Sequence, residues 1–282
     1  MNYTPRYLGR GSWLSRRDPR LIVLTVVCFV FTAIQVWDLR LMLVLALISF
    51  IYYRSAGIPF RAVRRQWAFV LFFVSLLVLV NGVIAGGRVP RIPDDQLHVY
   101  LYLPLVGTPV SAESLMYALT QLIRFLAMAG VGFPLAFAMN PADFGATFAR
   151  LGIPDRFAFA IDLTFRFIPS LAADLQTTID AQRVRGMELD KGAGGIFGRM
   201  RRQGPILVPT VVNAIVGAED TIDAMDLRAF GTGPRSWLRE LRFDRMDRIV
   251  LVLLVLMLVS ATIAGFTTSS ARVWVPDAIL PG

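Results

Sequence analysis

A single cysteine, Cys28, and a single histidine, His98, stand in the 282 residues of this chain. One cysteine excludes an internal disulfide and any cysteine-built metal cluster, and one histidine excludes a histidine-rich metal site. Charge is also scarce, at 17% of residues, where a soluble domain carries about 25%. Lysine is almost missing: Lys191 is the only one among 29 basic residues, and the rest are arginine. What fills the gap is apolar, with 55% hydrophobic residues and a mean hydropathy of +0.58. A soluble globule of this size would expose too much apolar surface, so the composition points to an all-α protein that crosses a lipid bilayer several times. The net charge of +9 raises nucleic acid as a partner. The arginines flank the long apolar runs, where topology signals are written, and no basic helix with interleaved aromatics stands apart from them, so nucleic acid is excluded.

Five apolar runs read as spans: Leu21 to Trp37, Leu41 to Tyr53, Trp67 to Ala85, Leu115 to Met139 and Ile249 to Phe266. The first two are short and separated only by Asp38 to Arg40, so they cross as a hairpin. Twenty residues precede the first run, which leads into the second with no small-residue cleavage pattern, so the N-terminus is not expected to be a cleavable signal. Arginine placement sets the orientation. Arg6, Arg10, Arg16, Arg17 and Arg20 precede the first span, and Arg54, Arg61, Arg64 and Arg65 lie between spans two and three with no acid among them. Both stretches are expected in the cytoplasm. The opposite loops mix Arg40 with Asp38, Arg88 and Arg91 with Asp94, Asp95 and Glu113, and Arg272 with Asp277, and are expected outside. The domain reading is therefore a cytoplasmic segment 1–20, spans one to four in 21–139, a cytoplasmic region 140–248, a last span 249–268 and an external tail 269–282.

The region 140–248 holds 15 basic and 14 acidic residues and is nearly neutral. An aromatic amphipathic stretch with Phe157, Phe159, Phe165 and Phe167 is expected to close at Pro169. Leu171, Leu175 and Ile179 then recur at helical spacing, with Asp174, Asp180, Arg183 and Arg185 on the other faces. A glycine-rich linker, Gly192 to Gly204, leads to a second amphipathic helix. Its stripe is Val208, Val211, Val212, Ile215, Ile222, Met225 and Ala229, opposite Glu219, Asp223 and Asp226. Two such helices beside a bundle suggest a docking platform.

These residues carry a family likeness. Gly152 to Pro154 forms a Gly-x-Pro turn, Arg166 to Pro169 an Arg-Phe-Ile-Pro element, and Ala181, Gln182, Arg185 and Gly186 an Ala-Gln…Arg-Gly signature; Ala224 to Gly231, "AMDLRAFG", and the "DPR" at Asp18 to Arg20 match as well. The chain resembles the T component, the membrane coupling subunit, of energy-coupling factor (ECF) vitamin and metal transporters. The resemblance implies a non-catalytic subunit of the cell membrane with no cofactor of its own, ATP and magnesium belonging to its partners. Those partners are two ABC-type ATPase subunits, held through Arg185, Gly186, Ala181, Gln182 and Arg183 at one signature and Arg228 and Ala224 at the other. A small membrane-embedded substrate-binding subunit is the third; Phe157, Phe165, Arg166, Pro169 and Arg124 are expected either to contact it or to pack the bundle, and for Arg124 holding the bundle together is the preferred reading. Ala229 departs from the family pattern, which has glycine there. The second helix is therefore expected to stop later, at Gly231, Gly233 and Pro234.

Other readings attach to single features. On their own, Arg183, Arg185 and Arg228 could form a solvated face, with Asp180–Arg183 and Arg185–Glu188 as i, i+3 pairs. Arg124 lies near the middle of the fourth run, where an unpartnered arginine is costly, so it must face protein or water; Asn81 and Asp162 are candidate partners. Glu219, Asp220 and Asp223 imitate the acidic box of a membrane prenyltransferase, which would also need a second box on the same side. "KGAGGIFGR" has the glycine density of a phosphate loop without its Gly-Lys-Ser/Thr ending, and reads as a linker. An ordinary ABC importer permease would require a Glu-Ala-Ala…Gly loop, which the sequence lacks.

Overall fold

The computed structural model describes residues 11–84, 99–102, 109–187, 196–233 and 241–267. Arg6, Arg10, Arg88, Arg91, Asp94, Asp95, His98, Glu188, Lys191, Gly192, Pro234, Arg272, Asp277 and the tail 269–282 lie outside them. Eight α-helices occur among the described residues: α1 (Pro19–Gln35), α2 (Leu39–Ser55), α3 (Phe60–Ile84), α4 (Ala112–Phe137), α5 (Phe144–Arg150), α6 (Asp155–Val184), α7 (Ile196–Asp226) and α8 (Arg245–Thr267). All five expected spans are helices, α1 to α4 and α8. A short antiparallel hairpin, β1 (Val99–Tyr102) with β2 (Pro109–Ser111), precedes α4 and was not anticipated in the sequence. The chain forms two compact units, one of Pro141–Glu240 and one of the helices before and after it.

In the bundle unit, α4 packs on α1, α2 and α3, and α8 packs on α1. Helix starts are fixed locally. Asp18 and Asp38 accept from the backbone N–H of Arg20 and Arg40 at 2.9 and 2.8 Å, with Pro19 preset at the first helical position. Ser111 and Ser114 cap α4 reciprocally. The core is Phe29 and Ala33 of α1, Met42 and Leu45 of α2, and Ala127 and Val131 of α4. Ser49 donates to the Ala127 carbonyl at 2.7 Å, satisfying a buried hydroxyl across the α2–α4 contact.

The "DPR" motif has a structural role here. Arg20 grips Asp18 at 2.7 Å, donates to the Leu241 carbonyl at 3.1 Å and lies 4.0 Å over the Phe243 ring. Arg17 meets Asp244 at 2.9 Å and Asp247 at 3.6 Å. The charges at the N-terminal end of α1 thereby hold the first turn of α8. Arg124 is also settled: it is 6% exposed, bonds to the Gln121 side chain and the Val36 carbonyl, and lies 5.0 Å over Trp37, whose ring stacks on Tyr117. Its charge faces the carbonyl end of α1, which carries partial negative charge. Asn81, one expected partner, is exposed on α3. The bundle-holding reading of Arg124 is the one its contacts support.

Three expectations for the second unit are corrected. Pro169 does not close a helix, because α6 runs through it for 30 residues. The glycine-rich stretch is not all linker, because α7 starts at Ile196 and passes through Pro205 and Pro209. The second helix does not run on to Gly231, because α7 ends at Asp226. Within this unit α5 lies so close to α6 that a Cβ on Gly145 would meet Asp162 Cβ at 2.5 Å and the Ala158 carbonyl at 2.9 Å. Phe165 stacks on Phe144 at 5.0 Å, and Phe159 lies 4.9 Å from Phe230.

Candidate docking ends of the two long helices

Both arginine signatures lie where a helix stops. At the end of α6, the N–H of Gly186 donates to Arg183 O at 3.0 Å and that of Met187 to Gln182 O at 3.0 Å, with Gly186 at φ +84°. At the end of α7, Ala229 N–H donates to Asp226 O at 2.9 Å and Phe230 N–H to Met225 O at 3.0 Å, with Ala229 at φ +53°. This is one helix-ending motif used twice, a left-handed residue whose neighbours bond back to the last turn. Ala229 is the one non-glycine with positive φ among the described residues. The alanine therefore adopts the conformation that glycine would favour, and the helix stops where glycine would have stopped it.

The motif explains why the arginine precedes the left-handed residue. At that point the chain leaves the helix axis, so Arg185 and Arg228 stand out from the last turn and both are exposed. Among the described residues Arg183 has a carboxylate partner, Asp180 at 3.2 Å, whereas neither Arg185 nor Arg228 has one. A guanidinium free at a helix terminus offers five donors in a planar fork, suited to carboxylates and carbonyls of a partner. Ala181 and Ala224 are exposed one turn earlier, while Gln182 is half-buried.

The sequence reading missed Val184 and Leu227. They sit immediately before the two arginines and are 89% and 90% exposed, among the most exposed large apolar side chains described. A signal was available. Thr178–Met187 and Thr221–Phe230 align without gaps and share Thr, Ile, Asp, Ala and Arg at the same positions. Their threonines even make the same bond back to the helix, Thr178 to Asp174 O at 2.9 Å and Thr221 to Gly217 O at 2.8 Å. Phe159 near the start of α6 touches Phe230 at the end of α7, so the two arginine ends are separated by most of the length of α6, about 40 Å at 1.5 Å per residue.

The other expected site residues divide. Phe157 is 65% exposed, and Arg166 and Pro169 are exposed, so they remain open for contact. Phe165 is spent on packing against α5. Glu219, Asp220 and Asp223 are exposed on α7, and no group of three acid, histidine or cysteine side chains among the described residues could hold a metal ion. The prenyltransferase reading has no site there.

A family model described as CbiQ, cobalt transport protein, matches residues 10–237 and so includes both arginine signatures. Among similar proteins, the energy-coupling factor transporter transmembrane protein EcfT of Ruminiclostridium cellulolyticum is 25% identical over 87% of this chain and 90% of its own length. The EcfT of Lacticaseibacillus paracasei is 27% identical over 86% and 90%, and that of Thermanaerovibrio acidaminovorans 27% over 92% and 93%. With that match running from the α1 cap past the end of α7, the chain belongs to the CbiQ family of cobalt transport proteins.

Proposed function

We propose that this chain is the transmembrane coupling subunit of an ECF-type importer, working between two ABC-type ATPase subunits and a small membrane-embedded substrate-binding subunit in the uptake of a vitamin or a metal ion. It is a multi-pass membrane protein and a non-catalytic transport subunit, in keeping with its family. The observation that carries the reading is the pair of matched helix ends with exposed Arg185 and Arg228. Each guanidinium seats in one ATPase groove. Movement of the ATPases as they bind and hydrolyse ATP is taken up by α6 and α7, two long helices that the Phe159–Phe230 contact joins.

The substrate-binding subunit covers the apolar face of α7. Val208, Val211, Val212 and Ile215, at helical spacing on one face, are 63, 48, 51 and 55% exposed there. A contiguous apolar surface of this kind on a folded unit marks a protein or membrane contact. The arginine asymmetry supports a cytoplasmic N-terminus and α6–α7 unit and an external C-terminus.

Affinity purification of the tagged chain from native membranes tests this. Two ATPase subunits and one small hydrophobic membrane protein should come with it, and the chain freed of its partners should neither bind nor hydrolyse ATP. Recovery with a soluble substrate-binding protein and no ATPase contact at α6 or α7 would contradict the reading.

A further inference from the structure

The repeated ends differ at one position in a way that matters electrostatically. In Thr178–Met187 and Thr221–Phe230 the acid, the small residue, the exposed apolar residue, the arginine and the left-handed residue all coincide: Asp180 with Asp223, Ala181 with Ala224, Val184 with Leu227, Arg185 with Arg228, and Gly186 with Ala229. Arg183, however, corresponds to Asp226. The first end thus carries one acid and two arginines, the second two acids and one arginine. Both residues are exposed on the last turn, two positions before the docking arginine, where a bound partner must meet them.

Shape therefore says that the two partner surfaces are alike, and charge says that they are not. Each must offer a cleft for an apolar side chain and acceptors for a guanidinium. The rim facing position 183 is favoured when acidic, and the rim facing position 226 when basic. Like charges brought together at an interface cost several kcal/mol, which is how rejection of the wrong partner is built. We propose that Arg183 and Asp226 are sorting residues, which assign two homologous but non-identical ATPase subunits to the ends of α6 and α7 respectively. This rests on the docking reading above and adds to it which subunit goes where. Arg183 is held for this task by Asp180 at 3.2 Å, an arrangement that the acid at 226 removes from the other end. Neither residue supplies the anchor; that belongs to Arg185 and Arg228.

The test is site-specific cross-linking in the complete complex. Cysteines are placed singly at Ala181 and Ala224 in a Cys28→Ser chain co-expressed with its ATPases, a short thiol-to-photoreactive reagent is attached, and the captured polypeptide is identified by mass spectrometry. In the parent, position 181 should capture one ATPase and position 224 the other, each with a preference of about tenfold or more. The exchange Arg183→Asp with Asp226→Arg should invert that preference or reduce it to near equality. The milder Arg183→Gln with Asp226→Asn, which keeps helix propensity and size, should lower it several-fold and guards against misassembly of the full exchange. Capture of one and the same ATPase polypeptide at both positions, or a preference unchanged by either pair of substitutions, overturns the sorting role. If instead the complex assembles but neither cysteine captures any ATPase, the docking reading itself is what fails.

Discussion

At residue 229 the chain keeps a conformation that its side chain disfavours. A left-handed alanine costs about 1–2 kcal/mol relative to its right-handed state because Cβ crowds the following carbonyl, and yet Ala229 holds φ +53° and completes the turn that presents Arg228. Glycine would relieve that strain while adding freedom to the unfolded chain, which takes back about 0.4–1 kcal/mol. Ala229→Gly should therefore stabilise the end of α7 by about 0.5–1 kcal/mol and raise the thermal midpoint of the purified protein by a degree or more, with assembly intact. Gly186→Ala, at φ +84°, should do the reverse. A lower midpoint for Ala229→Gly would mean that the alanine methyl makes a contact worth more than the strain. The same pair of residues shows where sequence reasoning stops: an alanine in place of glycine argued for a later helix end, but the backbone hydrogen bonds of Ala229 and Phe230 to the last turn outweigh the cost of one crowded Cβ.

The spanning helices were legible element by element, because long apolar runs bounded by arginine admit few other structures. Less was legible in the second unit, and proline is the reason. A proline removes one N–H and crowds the carbonyl four residues earlier, which bends a helix but ends it only if nothing holds the two halves in line. In α6 the residues on the near side of Pro169 are held by Phe165 on Phe144 and by the close α5 contact at Gly145, so the helix continues. Pro205 and Pro209 also lie inside α7. The two exposed arginines, Arg185 and Arg228, stand out in the sequence by their signatures. Val184 and Leu227 do not, since an apolar residue in an amphipathic helix is ordinarily assigned to the buried face. α7 also meets the length and hydropathy of a span between Gly204 and Asp226, with a mean hydropathy of 1.2 against 2.8 for α8. Its last two turns carry Glu219, Asp220, Asp223 and Asp226, and a crossing there would strand Arg228, Arg235, Arg239, Arg242, Arg245 and Arg248 outside, against the positive-inside bias. Single cysteines at Asp94 and Gly233, in a Cys28→Ser background, separate the two cases. An impermeant thiol reagent added to intact cells should label position 94 and leave 233 unlabelled, and labelling of 233 would mean that α7 crosses.

For the whole molecule, the division of labour follows from where its charges are spent. In the bundle unit three arginines are bound internally, Arg20 to Asp18 and Leu241, Arg17 to Asp244, and Arg124 to Gln121 and Val36. In the other unit Arg185 and Arg228 are exposed beside bare apolar side chains, about 40 Å apart by the rise of α6. One set of arginines holding the spans together and a second set left open is the arrangement that the proposed coupling role requires. The central claim is that these two open arginines are the anchors, and charge reversal tests it most directly. Arg185→Glu and Arg228→Glu, singly and together, would be compared with Arg156→Glu, an exposed reversal on the first turn of α6, by measuring the ATPase retained on the affinity-purified chain. A solvated arginine tolerates such a change within about 0.5 kcal/mol. An arginine seated in a groove leaves its acceptors unpaired and loses about 2–5 kcal/mol of binding. The account predicts that each single reversal strips most of the ATPase, that the double reversal strips all of it, and that the Arg156→Glu chain keeps its full complement. Retention of both ATPase subunits by the double reversal would contradict it.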